Sequence, residues 1–180
     1  MKRLSRIFGR GLYLFAKNLP ISTSKCGFLG RKLRYFAAKR ICTEIGERVN
    51  IEKGAVFASD IRIGNDSALG VRSYIETGAV IGNDVMMGPE CMIFTKNHCF
   101  DRVDIPMREQ GETDVLPVMI GDDVWLGARV VLLPGAKIGS GSVIGAGAVV
   151  SGEIPPMSVA VGNPARVVKM REESREKREE

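Results

Sequence analysis

The sequence predicts an all-β fold, a solenoid of short parallel strands wound into a triangular coil. Three observations predict it. An apolar residue returns every six positions, at Ile45, Ile51, Phe57, Ile63, Leu69, Ile75, Ile81, Met87 and Ile93, then at Ile120, Leu126, Leu132, Ile138, Ile144 and Val150. A mostly small residue follows four places after each, from Val49 and Ala55 through Cys91 and Asn97 to Ala148 and Ile154. Glycine directly follows the apolar residue in nine of the fifteen units. A period of six is neither that of a helix nor that of one strand. It describes a short strand and a turn, repeated about one axis, with each unit burying its apolar side against the next. Three six-residue sides close a coil of 18 residues, so nine units give three coils and six give two. Glycine suits the corners, where backbone angles cost other residues energy. Fifteen in-phase units argue against a sandwich of short strands. The period does not fix the hand of the winding, and most parallel crossovers are right-handed.

Before the repeats, residues 1–44 form a basic segment. Met1 to Asn18 reads as a helix interrupted by Gly9 and Gly11, and Pro20 to Gly30 as a turn-rich link. Arg31 to Cys42, with Leu33, Phe36, Ala37 and Ile41 at helical spacing, reads as a second helix leading into the first coil. Residues 45–155 are the solenoid, broken by an insertion at 99–119 that is rich in charge and proline. Pro155 and Pro156 end it, because proline cannot donate to a ladder. Residues 156–180 follow as a turn, Val161 to Arg166, and a charged, helix-prone tail from Val167 to Glu180.

The chain has 180 residues, 44% of them hydrophobic, and a net charge of +5, as expected of one domain with appendages. No apolar run reaches the roughly 20 residues that cross a bilayer. Cys26, Cys42, Cys91 and Cys99 show no paired spacing and read as reduced thiols of a cytoplasmic protein. Charge is unevenly placed: residues 1–43 hold eleven Lys or Arg and no acid. With Leu4, Ile7, Phe8, Leu12, Leu14 and Phe15 this segment suits a helix capping the open end of the solenoid. It also suits peripheral contact with the inner face of a membrane. No aromatic–basic platform for nucleic acid is present.

Three features carry chemistry. His98, the only histidine, stands just before the insertion and is the default general base. Trp125 precedes stretches of small residues, Gly127-Ala128 and Gly145 to Ala148, where a ligand can approach the backbone. Arg166 and Lys169 lie beside the turn Gly162-Asn163-Pro164 and could meet phosphates. There is no phosphate-binding loop or dinucleotide fingerprint. One histidine cannot build a three-histidine metal centre, so no metal is expected.

The units IGNDSA, IGDDVW and IGSGSV resemble those of the hexapeptide-repeat acyltransferases. The resemblance spans about Ile45 to Lys169 and is most specific at TKNHCFD (95–101), IGDDVWLGA (120–128), PGAKIGSGSVIGAGAVV (134–150) and VGNPARVV (161–168). These segments are similar to the branch that acetylates hydroxyls of sugars and surface polysaccharides, such as maltose, galactoside and colanic acid. The resemblance implies a left-handed parallel β-helix, a homotrimer, sites between subunits and acetyl-CoA as co-substrate. It implies that His98 takes the proton of the acceptor hydroxyl. Trp125 would stand near the cofactor thiol, Ala128 and Ala146 along the pantetheine arm, and Ser151, Arg166 and Lys169 near phosphates or adenine. Glu76 matches an acceptor-binding acid, and Asp101 in the insertion is a second candidate. Two positions depart from the family: Gly152, where a basic residue is common, and Ala68, where an acceptor-binding Asn is frequent. Acetylation of an antibiotic or amino sugar, or a non-catalytic trimeric scaffold at the membrane, are the rival readings.

Overall fold

The computed structural model describes residues 2–171. Two helices, α1 (Lys2–Ala16) and α2 (Gly27–Ile41), precede a stack of two-residue strands in three parallel sheets. The first sheet stacks Glu44–Ile45, Arg62–Ile63, Val80–Ile81, Met119–Ile120, Lys137–Ile138 and Glu153–Ile154. The second stacks Asn50–Ile51, Ala68–Leu69, Met86–Met87, Trp125–Leu126 and Val143–Ile144, and ends in a hairpin of Ser158–Val161 with Arg166–Met170. The third stacks Val56–Phe57, Tyr74–Ile75, Met92–Ile93, Val131–Leu132 and Val149–Val150. Across the insertion the register is kept: Ile81 pairs Ile120, Met87 pairs Leu126 and Ile93 pairs Leu132. The insertion is therefore a detour from one corner that leaves the coils in phase.

The aliphatic series forms ladders along the axis. From Ile51 to Val150 all its members except Phe57 are 7% exposed or less. Full burial of such a side chain stabilises by about 1.5–3 kcal/mol. The small residues four places later, such as Ala55, Ser67, Ala79 and Ala136, are buried too and keep the core narrow. Asn97 departs from this pattern. It is exposed, because the chain leaves the coil after the buried Thr95. Val118, fully buried, takes the inward place when the chain returns, and its carbonyl accepts the Val80 amide at 2.9 Å.

The glycines have a different role from the one their spacing suggests. Gly46, Gly64, Gly70 and their equivalents do not have positive φ. They stand where one coil crosses the next: a Cβ on Gly70 would lie 1.9 Å from the Gly88 carbonyl oxygen. The left-handed backbone falls two places later. One corner uses Gly54, Arg72, Glu90, Arg129 and Gly147, another Arg48, Asp66, Asp84, Asp123 and Gly141. The first glycines permit close stacking; the later residues turn the corner.

α1 and α2 cover the open end of the first coil. The Tyr13 hydroxyl donates to the Ala55 carbonyl at 2.8 Å, and its ring meets Phe57 edge-on at 5.0 Å. Arg34 is wholly buried. Its guanidinium donates to the carbonyls of Ile51 at 2.5 Å, Leu19 at 3.2 Å and Pro20 at 3.1 Å, and faces the Glu52 carboxylate at 3.7 Å. Glu52 in turn accepts from Ser22 and Asn50. α2 begins four residues earlier than its apolar spacing suggests. Gly27 allows this, since a Cβ there would lie 1.9 Å from the Ile21 carbonyl oxygen.

The C-terminal end corrects the expected helix. Arg166–Met170 is a strand, antiparallel to Ser158–Val161. The second sheet has an edge there that needs pairing, and the run Val167-Val168 suits a strand. The rest of the expected helix, 172–180, lies outside the described residues. The coils also run on past Pro155 and Pro156 to Val161.

Two substitutions test this account. Gly70→Ala should lower stability by about 1–3 kcal/mol in chemical denaturation, the range for overpacking a close contact. Arg34→Met should cost about 3–5 kcal/mol, since it strips several backbone carbonyls and Glu52 of a buried partner. Limited proteolysis should then cut within residues 19–26 before the coils.

Candidate functional site

His98 owes its place to the third sheet and the insertion. After Met92–Ile93 the chain turns the corner at Phe94, and Thr95 is anchored twice. Its amide donates to Glu76 Oε2 at 2.8 Å, and its carbonyl accepts the Leu116 amide at 2.8 Å. The two limbs of the insertion then pair as an antiparallel ribbon. Thr113 donates to Asn97 at 2.9 Å, Cys99 to Gly111 at 3.0 Å, and His98 bridges Glu112. Lys96 Nζ pairs with Glu112 at 2.8 Å across the ribbon. That contact, with a smaller contribution from His98, holds the Glu112 carboxyl below its usual range. At the tip, the Gln110 side chain accepts from the Arg102 amide at 3.0 Å and donates to the carbonyls of Arg102 and Ile105. His98 is thus an exposed side chain on a braced backbone.

A cavity of about 300 Å³ opens beside it, bounded by Glu76, Phe94, Leu133, Lys96, Asn97, His98 and Glu112. Its chemistry is an imidazole among two carboxylates and an ammonium, with apolar walls. Such a set can receive and return a proton while hydrogen-bonding a polar ligand.

A second cavity, of about 400 Å³, lies at the corner between the second and third sheets. Ala128, Ala146 and Gly147 give it bare backbone, and Arg72, Glu90 and Arg129 line it with charge. Glu90 accepts from Arg129 Nε at 2.8 Å and Arg72 Nε at 3.1 Å, which holds its carboxyl below the usual range. Trp125 stands on the adjoining second face, 51% exposed. It begins a row in which Trp125 pairs Val143, the next coil places Val159 beside it, and Val159 pairs Lys169. Three strand spacings of about 4.8 Å each separate the tryptophan from the lysine. Arg166 is on the same hairpin, its guanidinium on the Ala165 carbonyl at 2.8 Å.

Within one chain, then, Glu76 and His98 share one corner, while Ala128 and Ala146 share another. Trp125, Arg166 and Lys169 lie on the second face. Ser151, exposed, lies apart from Ala128 and Ala146. It falls in the column of Glu76, Phe94 and Leu133, on the histidine side of the coil. Asp101 is exposed in the insertion and borders neither cavity. Glu112 with Lys96, and the triad Arg72, Glu90 and Arg129, are candidates that only the structure brings forward. The triad leaves a signal, opposite charges recurring at the coil spacing; the Lys96–Glu112 pair leaves none, since an irregular loop sets it. Among the described residues no three His, Cys, Asp or Glu side chains gather as a metal-holding group. Cys42 and Cys91 are buried, and burial pushes the Cys42 thiol up to about 12, which leaves it unreactive near neutral pH.

Comparison with known proteins agrees with the repeat. Residues 117–152 match the bacterial transferase hexapeptide model, and residues 60–88 the hexapeptide repeat of succinyl-transferase. A probable acetyltransferase of Mycobacterium tuberculosis is 39% identical over 161 residues, covering 86% of this chain and 53% of that protein. The chain spans about half the length, or less, of the curated relatives it matches. Among solved structures, a galactoside acetyltransferase in complex with coenzyme A superposes with a TM-score of 0.74 and 27% identity, over 97% of this chain and 84% of that one. A hexapeptide-repeat acetyltransferase of Vibrio cholerae complexed with acetyl coenzyme A gives 0.66 and 26%, over 93% and 87%. The winding is the left-handed one of these proteins.

Glu76 braces the histidine strand, and this is measurable. Glu76→Ala removes the carboxylate that accepts the Thr95 amide. A hydrogen bond to a charged group contributes about 1.5–3 kcal/mol, so hydrogen exchange at Thr95 should speed by about 10- to 100-fold. Exchange at Ile93 and Leu132 should not change.

Proposed function

We propose that this chain, two stretches of which match hexapeptide-repeat transferase models, is an acetyl-CoA-dependent O-acetyltransferase of a saccharide hydroxyl, with His98 as general base. One observation carries the reading: the two cavities lie on the two edges of a single apolar face. The outward side chains of the third sheet are Val56, Tyr74, Met92, Val131 and Val149, with no charge among them. If three chains turn this face toward a common axis, each histidine edge meets the next chain's edge carrying Ala128 and Ala146. That contact is heterologous and closes as a ring. The half-sites that stand apart in one chain then face each other between two.

The chemistry follows from that meeting. Acetyl-CoA lies along the second corner, its arm against the backbone of Ala128 and Ala146 and its phosphates toward Arg166 and Lys169. The galactoside acetyltransferase complex with coenzyme A supports this use of the fold. On the facing chain, Glu76 holds the acceptor sugar beside His98. His98 removes the hydroxyl proton as that oxygen attacks the thioester carbonyl carbon. The tetrahedral intermediate collapses, the carbon–sulfur bond breaks, and the imidazolium returns its proton to the departing thiolate. No acyl-enzyme is needed, since holding both substrates together lowers the barrier.

His98→Ala should lower kcat/KM for acetyl transfer by about 10²- to 10⁴-fold while CoA affinity by calorimetry stays unchanged. Undiminished turnover in the folded variant removes His98 from this role. Subunit mixing tests the shared site. His98→Ala and Ala146→Trp should each be nearly inactive alone. Refolded together in equal amounts, they should recover about a quarter of wild-type activity, because a ring pairs an intact histidine edge with an intact alanine edge at that frequency. A site contained in one chain would recover none.

A further inference from the structure

α1 is packed with its apolar side outward. The side that meets α2 carries Gly9, Tyr13 and Ala16, all buried. A Cβ on Gly9 would lie 2.7 Å from Arg40 Cβ, so small residues set this contact. The opposite side carries Leu4, Ile7, Phe8, Leu14 and Phe15, each between 59% and 73% exposed. At helical spacing these five fall in a stripe about 120° wide, centred away from the packed side. Arg6, Arg10 and Lys17 follow one flank of the stripe. A helix that serves only as a lid would turn such a stripe inward.

Charge indicates what covers it. The first acid in the chain is Glu44; the eleven Lys and Arg before it have no opposite charge in their own segment. The complement of an apolar stripe with a wholly basic surround is a surface that is apolar within and anionic at its boundary. Among the described residues no helix is long and apolar enough to cross a membrane, so α1 suits an interface rather than a span.

We propose that α1 docks this protein on an anionic lipid bilayer. The five apolar side chains enter the acyl region, and Arg6, Arg10 and Lys17 meet lipid phosphates. The inference does not depend on the acetyl-transfer reading.

The test uses the full chain and sedimentation with vesicles of phosphatidylcholine, with and without phosphatidylglycerol. Binding should be at least about 10-fold stronger to the anionic vesicles and should weaken as salt is raised. Ile7→Glu with Phe15→Glu should reduce pelleting at least about 10-fold, because the stripe is what inserts. Both side chains are exposed, so melting temperature and CoA affinity should not move. Arg6→Glu with Arg10→Glu is a second variant that leaves the stripe intact and should abolish the preference for anionic lipid. No binding, equal binding to neutral vesicles, or undiminished pelleting of the first variant overturns the proposal. So does a lower mass of that variant by light scattering, which would make the stripe a contact between copies of this chain.

Discussion

The closest constraint in this molecule is backbone on backbone. Successive coils approach until the glycine of one meets the peptide of the next, as Gly70 meets Gly88. That approach brings parallel strands into hydrogen-bonding distance and stacks the aliphatic ladders along the axis. Two-residue strands have almost no ladder of their own. They persist because each is held by neighbours above and below, so stability is a property of the stack rather than of any unit. The same constraint fixes the register across the insertion, where a slip would set a side chain against a peptide.

A solenoid locked this way puts variation at its corners. Corner residues such as Asp66, Arg72, Asp84 and Arg129 are exposed, adopt left-handed backbone, and recur in columns along the axis. One column carries Arg72, Glu90 and Arg129 and borders the cavity of Ala128 and Ala146. The corner after the third sheet releases the chain into the insertion and braces His98 on return. Stacking thus supplies rigid places for the charged groups of the site, outside the narrow aliphatic core.

The open end needs a different solution, because the first coil has no neighbour below. α2 provides it through Arg34, whose buried guanidinium collects carbonyls from the helix link and from Ile51. A buried charge with several acceptors and the Glu52 carboxylate specifies one docking of the helices, where an apolar contact would allow several. α1 meets α2 through small residues, and this leaves its large apolar side chains exposed.

Much of the architecture was legible in the residues. The six-residue period determined the strands, the three-sided coil and the inward rows, because burial of one side chain per unit repeats without exception from Ile63 to Ile93. His98, Trp125 and the small-residue corners stood out for their chemistry. Left-handedness came from family resemblance alone, since the period has no hand. Tertiary structure decided the rest. It showed that the first glycines serve stacking and that Val118 replaces Asn97 in the core. It made Arg166–Met170 a strand and paired Lys96 with Glu112 beside the histidine. It also set His98 and Ala128 on different corners of one chain. Periodicity records what a residue does within its own turn; contacts between coils, and across a loop of irregular path, depend on distances that no local pattern encodes.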